Sequence, residues 1–223
     1  MVAACAETLL RRVAIVTGGS RGIGRETIRR LATRGYAVVV NYAHDQRAAE
    51  STVEAVLAGN GAAVAIRADV TDDLDVERLF SATIEAFGGI DVVVHAVQPW
   101  LGAPAMPAAD VAPFHALGST TLRATFLVSR QAARQLRDGG AIVNLSASSV
   151  SAMLPTYATS TAAIDALTRV LALELLGRDI TVNAVSLQAD KPCTPGRIAE
   201  LIAYLLSDEG HAMTGQVIRI DDQ

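Results

Sequence analysis

Only two cysteines occur, Cys5 and Cys193, in no metal-ligand spacing, so neither a disulfide framework nor a cysteine metal site is expected, and the usage suits a reducing cytoplasm. There is no basic cluster, and a net charge of -4 with a pI near 5.5 argues against nucleic acid as a partner. Long apolar runs are missing too. The longest uncharged stretch, residues 139–164, is crowded with Ser, Thr and Asn and interrupted by Pro155, which excludes a membrane span. The first ten residues are too short and wrongly flanked for a signal peptide, and a cytoplasmic location is expected. No Pro/Gly/Ser-rich linker, low-complexity tract or long-period repeat divides the 223 residues, so one domain over 1–223 is expected.

What is present is an alternation of strand and helix. Strands are predicted near 13–16, 37–41, 62–68, 92–95, 141–146, 180–185 and 216–220, and helices near 23–33, 46–58, 73–87, 112–136, 157–176 and 196–206. Near-continuously apolar strands between helices imply an α/β fold, a parallel sheet covered on both faces. Asn144-Leu145-Ser146 matches a glycosylation sequon but falls on a predicted buried strand.

Between the first strand and first helix lies Thr17-Gly18-Gly19-Ser20-Arg21-Gly22-Ile23-Gly24. Such a loop suits a dinucleotide pyrophosphate. Gly18 and Gly22 can take backbone angles closed to other residues, and Gly24 allows the helix to pack closely on the strand. The helix N-terminus then offers free N–H groups and a partial positive charge to the anion.

The spacing Thr-Gly-x-x-x-Gly-x-Gly resembles that of the short-chain dehydrogenase/reductase family, particularly its ketoreductases. Further landmarks follow in order: Ala68-Asp69-Val70, Ile90 to Val94, Gly140 to Asn144, Tyr157 opening a long helix, Ile180 to Val185, and Thr214 to Asp221. The resemblance spans about residues 11 to 221. It implies a doubly wound, Rossmann-like sheet of seven parallel strands in the order 3-2-1-4-5-6-7, with adenine contacted at Asp69 and Val70.

Cofactor choice is read at the end of the second strand. An NAD site usually places an acid there, which bonds the ribose hydroxyls and repels the extra phosphate of NADP. This chain has Asn41 and Tyr42, with Asp45 a little too far on. Arg21 stands where similar reductases pair a basic residue with the 2′-phosphate, so NADP(H) is favoured over NAD, held by Gly18, Ser20, Arg21, Gly22, Ile23, Gly24 and Asn41.

The chemical end departs from the family. There a tyrosine exchanges the proton at the carbonyl oxygen and a serine bonds that oxygen. A lysine four residues after the tyrosine lowers its pKa and holds the nicotinamide ribose, and an asparagine on the fourth helix supports a water relay. Here Tyr157 aligns, but Thr161 takes the lysine position, Ala147 the serine and Thr121 the asparagine. Ser146, Ser148 and Ser149 neighbour Ala147, and Ser148 is the candidate substitute. Shifting a tyrosine from about 10 to about 7 needs roughly 4 kcal/mol of differential stabilisation, which threonine cannot supply. His95-Ala96-Val97-Gln98 replaces the family's Asn-Asn-Ala-Gly, and a histidine ending a core strand reads as a structural hydrogen-bonder. After Ser186 the family's long mobile lid is missing, which implies an open site and a weakly held cofactor.

Dimerisation elements look intact. The helix over 157–176 is apolar or small nearly all round, and such a helix must be buried on every side. In the family this helix and the fourth pack against a second subunit. The expected function is therefore that of a catalytically impaired homologue, a non-catalytic partner subunit of an active NADPH-dependent ketoreductase, with a homo-oligomer as the other assembly. The alternatives are an NADPH-dependent carbonyl (3-oxoacyl-type) reductase using Tyr157, and an NADP(H)-sensing binding module.

Overall fold

Valine, isoleucine and alanine build the sheet. The computed structural model describes residues 11–97, 115, 118–148, 155–188 and 194–220. Seven strands, Val13–Thr17 (β1), Ala37–Tyr42 (β2), Ala62–Arg67 (β3), Val92–His95 (β4), Ala141–Ser148 (β5), Thr181–Gln188 (β6) and Val217–Ile220 (β7), form one sheet in the order β3-β2-β1-β4-β5-β6-β7. Every pairing is parallel. The order reverses between β1 and β4, where a doubly wound sheet opens a crevice beyond the carboxyl ends of its strands.

Alternate residues of each strand feed two cores. Val16, Val38, Val40, Val94, Val143 and Val185 pack against Gly22–Thr33 (α1), Gln46–Ala58 (α2) and Pro195–Leu205 (α6). On the other face, Ile15, Val39, Val93, Ile142 and Val182 meet Asp73–Phe87 (α3), Ala124–Gln135 (α4) and Pro155–Glu174 (α5). Helix ends follow local chemistry. The carboxylates of Asp45 and Asp72 accept N–H bonds from Ala48 and Asp75 at the starts of α2 and α3, and Gly88, at φ 80°, ends α3 in the left-handed conformation. Asp45 is thus an N-cap.

Several boundaries differ from the sequence expectation. β5 and β6 run on to Ser148 and Gln188, paired in register to the last residue, because serines and glutamine that read as loop are here strand residues at the mouth of the crevice. Pro155 opens α5 as a first-turn proline, and the helix ends at Glu174 before a 3-10 turn at Leu176–Arg178. The long helix expected over 112–136 is, in its described part, a π-helical turn, Ser119–Arg123, running into α4; residues 112–114 lie outside the described residues. α5 is also not enclosed on every side within one chain: Ala162, Ala166, Val170 and Leu173 form an exposed stripe, Leu173 at 71% exposure.

Candidate functional site

The phosphate loop leaves β1 at Thr17 and enters α1 through two left-handed glycines, Gly18 at φ 64° and Gly22 at φ 55°. Glycine is required at Gly24 for a different reason. A Cβ there would lie 2.3 Å from the carbonyl oxygen of Gly18, so any side chain would push the helix off the loop. Gly19, given no role from sequence, is tight for a softer reason: a Cβ there would lie 2.5 Å from the Ile28 side-chain tip, which can shift, and 3.0 Å from the Val16 carbonyl oxygen, and its N–H donates to the Asn41 carbonyl at 3.0 Å.

Arg21 is the N-cap of α1 and is exposed, with extended backbone and no side-chain cap, so the N–H groups at the helix start stay open to an anion. A Cβ on Gly22 would meet nothing within 4 Å, which leaves space over the loop. Ser20 is buried beneath it and Ile23 packs against the core. The cradle therefore fits a dinucleotide pyrophosphate in backbone angle, approach distance and field.

On the β2–β3 side, the Asn41 side chain is buried and its amide donates to the carbonyls of Ile66 and Ala68 at 3.3 and 3.1 Å, bracing the sheet beside the crevice. Asp69 is exposed, and the N–H and hydroxyl of Thr71, at 2.9 and 2.7 Å from Oδ1, hold its carboxyl below the usual range. Val70 is buried next to it.

β4 ends on His95. Its Nδ1 lies 2.8 Å from the Thr17 hydroxyl, which also accepts the Ala96 N–H at 3.2 Å. Complete burial pushes the imidazole down to about 4, so it is neutral near pH 7 and structural, as its place at the end of a core strand suggests.

At the chemical end, Tyr157 falls in the first turn of α5 and Ser148 closes β5; the side chains of both, and Ser149 entirely, lie outside the described residues. One turn after Tyr157, Thr161 is 3% exposed and its hydroxyl donates to the Ala158 carbonyl at 3.1 Å. Ala147 is buried on β5. Thr121 is fully buried within the π turn, where the N–H of Ala124 reaches the Ser119 carbonyl and the Thr121 carbonyl accepts the Thr125 hydroxyl at 2.7 Å. One residue escaped the sequence reading. Asp165, half-buried on α5, accepts the Ser146 hydroxyl at 2.7 Å. The 157, 161, 165 spacing puts it on the Tyr157 face, and that period could have found it.

Sheet order, crevice and loop together define a doubly wound dinucleotide-binding protein. Comparisons with known proteins narrow this further. A family model described as Enoyl-(Acyl carrier protein) reductase matches residues 18–190. An uncharacterized oxidoreductase of Methylorubrum extorquens is 33% identical over 236 residues, covering 93% of this chain and 95% of the relative. Versicolorin reductase 1 of Aspergillus parasiticus is 37% identical over 252 residues, with 94% and 95% covered. Among solved structures, a dehydrogenase/reductase from Sinorhizobium meliloti superposes with a TM-score of 0.89 at 33% identity, covering 99% of this chain and 98% of that one. A short-chain dehydrogenase from Burkholderia cenocepacia in complex with NADP gives 0.88 at 30% identity, with 96% and 98% covered. The chain belongs to the short-chain dehydrogenase/reductase family of oxidoreductases. A nucleotide cofactor is the family's. No helix among the described residues is long and apolar enough to cross a membrane.

Proposed function

We propose that this chain is an NADP(H)-binding member of its family with an impaired chemical step, and that it serves as a non-catalytic partner subunit of an active NADPH-dependent ketoreductase. The observation that carries this reading is Thr161. Where the family sets an ammonium against its tyrosine, this chain has a buried hydroxyl committed to the carbonyl of Ala158, and the next charged group along that helix face is the Asp165 carboxylate. A carboxylate disfavours an ionised phenol, and no hydroxyl supplies the roughly 4 kcal/mol that a tyrosine near pH 7 requires. Ala147 and Thr121 remove the second and third members of the set, and groups that act as a unit lose their effect together.

Loss of the lid adds to this. Only residues 189–194 separate β6 from α6. The match to versicolorin reductase 1 runs over 252 residues, more than the 223 of the chain, so the relative carries stretches without a counterpart here. Without a lid, water enters and the reacting atoms are poorly held.

The cofactor reading rests on the loop. Gly18, Ser20, Gly22, Ile23 and Gly24 would hold the pyrophosphate, Arg21 the 2′-phosphate, and Asp69 and Val70 the adenine, with Asn41 bracing the strand end in place of a repelling acid. When bound, the dinucleotide supplies a hydride. Its binding is weakened by the missing lysine and lid contacts.

For the partner, α5 offers its exposed stripe and α4 offers Phe126, half-exposed at 49%. An apolar face of this kind is stabilised by pairing, at roughly 25 cal/mol per Å² before association costs. A second reading, an NADPH-dependent carbonyl reductase using Tyr157 and Ser148, draws on relatives named as reductases, versicolorin reductase 1 among them. Purification from the native host separates the two. The proposal expects an intact homologue to co-purify in a mixed oligomer. A stable homomer in every preparation, with no mixed species on co-expression with intact reductases of the same host, overturns it.

A further inference from the structure

On the α4–α5 side of the sheet, Thr17, His95 and Asn144 stand in neighbouring register at the carboxyl ends of β1, β4 and β5, so their side chains leave the same face. All three are 0% exposed. The Thr17 oxygen accepts the Ala96 N–H, and His95 Nδ1 at 2.8 Å is the one acceptor described within reach of its own proton, so the bond is assigned as Thr17 O–H to Nδ1. A neutral imidazole that accepts at Nδ1 carries its proton on Nε2. That Nε2 is buried with no partner among the described residues. So is Oδ1 of Asn144, whose amide donates to the Thr168 hydroxyl on α5 at 3.4 Å. The row thus holds one unmatched donor and one unmatched acceptor, side by side on paired strands. Thr17 binds the ring at Nδ1 and Thr168 the carboxamide at its NH2, and Nε2 and Oδ1 do not bond one another. Buried polar groups of this kind are satisfied by ordered water, which needs two to four polar partners.

We propose that a single buried water joins His95 to Asn144, accepting from Nε2–H and donating to Oδ1. The chain Thr17, His95, water, Asn144, Thr168 then runs unbroken from the strand that carries the phosphate loop to the helix that carries Tyr157. The site depends on a histidine where the family pattern has asparagine.

The test is nuclear magnetic resonance of the full chain labelled with nitrogen-15 at its four histidines. The expected result is one neutral histidine with its proton on Nε2, slow to exchange, and cross-relaxing with a long-lived water. In Asn144→Leu the water signal should vanish and exchange of that proton rise about ten-fold or more, with the tautomer unchanged. A proton on Nδ1 overturns the proposal, as does an Nε2 proton with no water contact in the wild type. A crystal structure with Nε2 and Oδ1 within about 3.2 Å of one another, a direct bond, overturns it as well. The wild-type spectrum decides even if the variant does not fold.

Discussion

A guanidinium exposed at the mouth of the phosphate loop is free to pair with a second phosphate, and Arg21 holds that place. Arg21→Glu should reverse the cofactor preference. Titration calorimetry of the wild type should give tighter binding of NADPH than of NADH, and the variant should lose about ten-fold or more for NADPH with little change for NADH. Equal affinities in the wild type contradict the assignment. His95 makes a different claim. Burial lowers its imidazole from 6.5 to about 4, so as pH falls the unfolded chain takes up the proton first. Its contribution to stability is whole above about 6.5 and is lost progressively toward about 4, about 3 kcal/mol across that window. Urea unfolding at pH 7.5 and pH 5 should show about 2 kcal/mol of that loss in the wild type and a smaller loss in His95→Asn; equal losses count against a buried neutral histidine. At this scale the glycines were legible because a phosphate loop demands them at fixed spacing. Gly19 was not, since its role arises from Ile28 and Val16, and although helical period could have placed Asp165 on the face of Tyr157, only the fold shows its bond to Ser146.

Elements were legible wherever hydrophobic period and turn residues agreed. β1, β2 and β4 are built on apolar runs that set their starts, and they end within a residue of expectation on Thr17, Tyr42 and His95. The ends of β5 and β6 were hidden because Ser148, Ser186 and Gln188 are polar residues at the carboxyl ends of their strands, beside the crevice, where polarity need not mean a loop. The π turn before α4 left no mark in the sequence, since its extra residue is stabilised by packing around Thr121 and by the Thr125 hydroxyl. Loop and helix α1 are tested together by Gly24→Ala. The added Cβ meets backbone at 2.3 Å, so the variant should lose about 1–3 kcal/mol of stability and most of its NADPH binding. Wild-type calorimetry and unfolding curves from Gly24→Ala would remove the packing argument. The exposed face of α5 is tested by Val170→Arg, at a side chain 53% exposed, which should break the oligomer in light-scattering measurements while leaving NADPH affinity within about two-fold. An unchanged oligomer would show that this face is not the contact.

For the whole molecule, the cofactor crevice and the chemical end are separate questions. The sheet, its order and the phosphate loop retain the family's architecture, and relatives match nearly end to end. The proposed loss of chemistry rests on Thr161, Ala147 and Thr121, three positions on three elements, α5, β5 and the π turn. On that proposal, restoring one of them should return little, because groups that act as a unit lose their effect together and Thr161→Lys leaves Ala147 and Thr121 unchanged. The central claim is therefore tested most directly by steady-state NADPH oxidation with ketone and 3-oxoacyl substrates, comparing the homogeneous wild-type chain with Tyr157→Phe. The account expects the two to be equally slow. Rapid, ketone-dependent turnover by the wild type that Tyr157→Phe abolishes would contradict it and establish a working reductase.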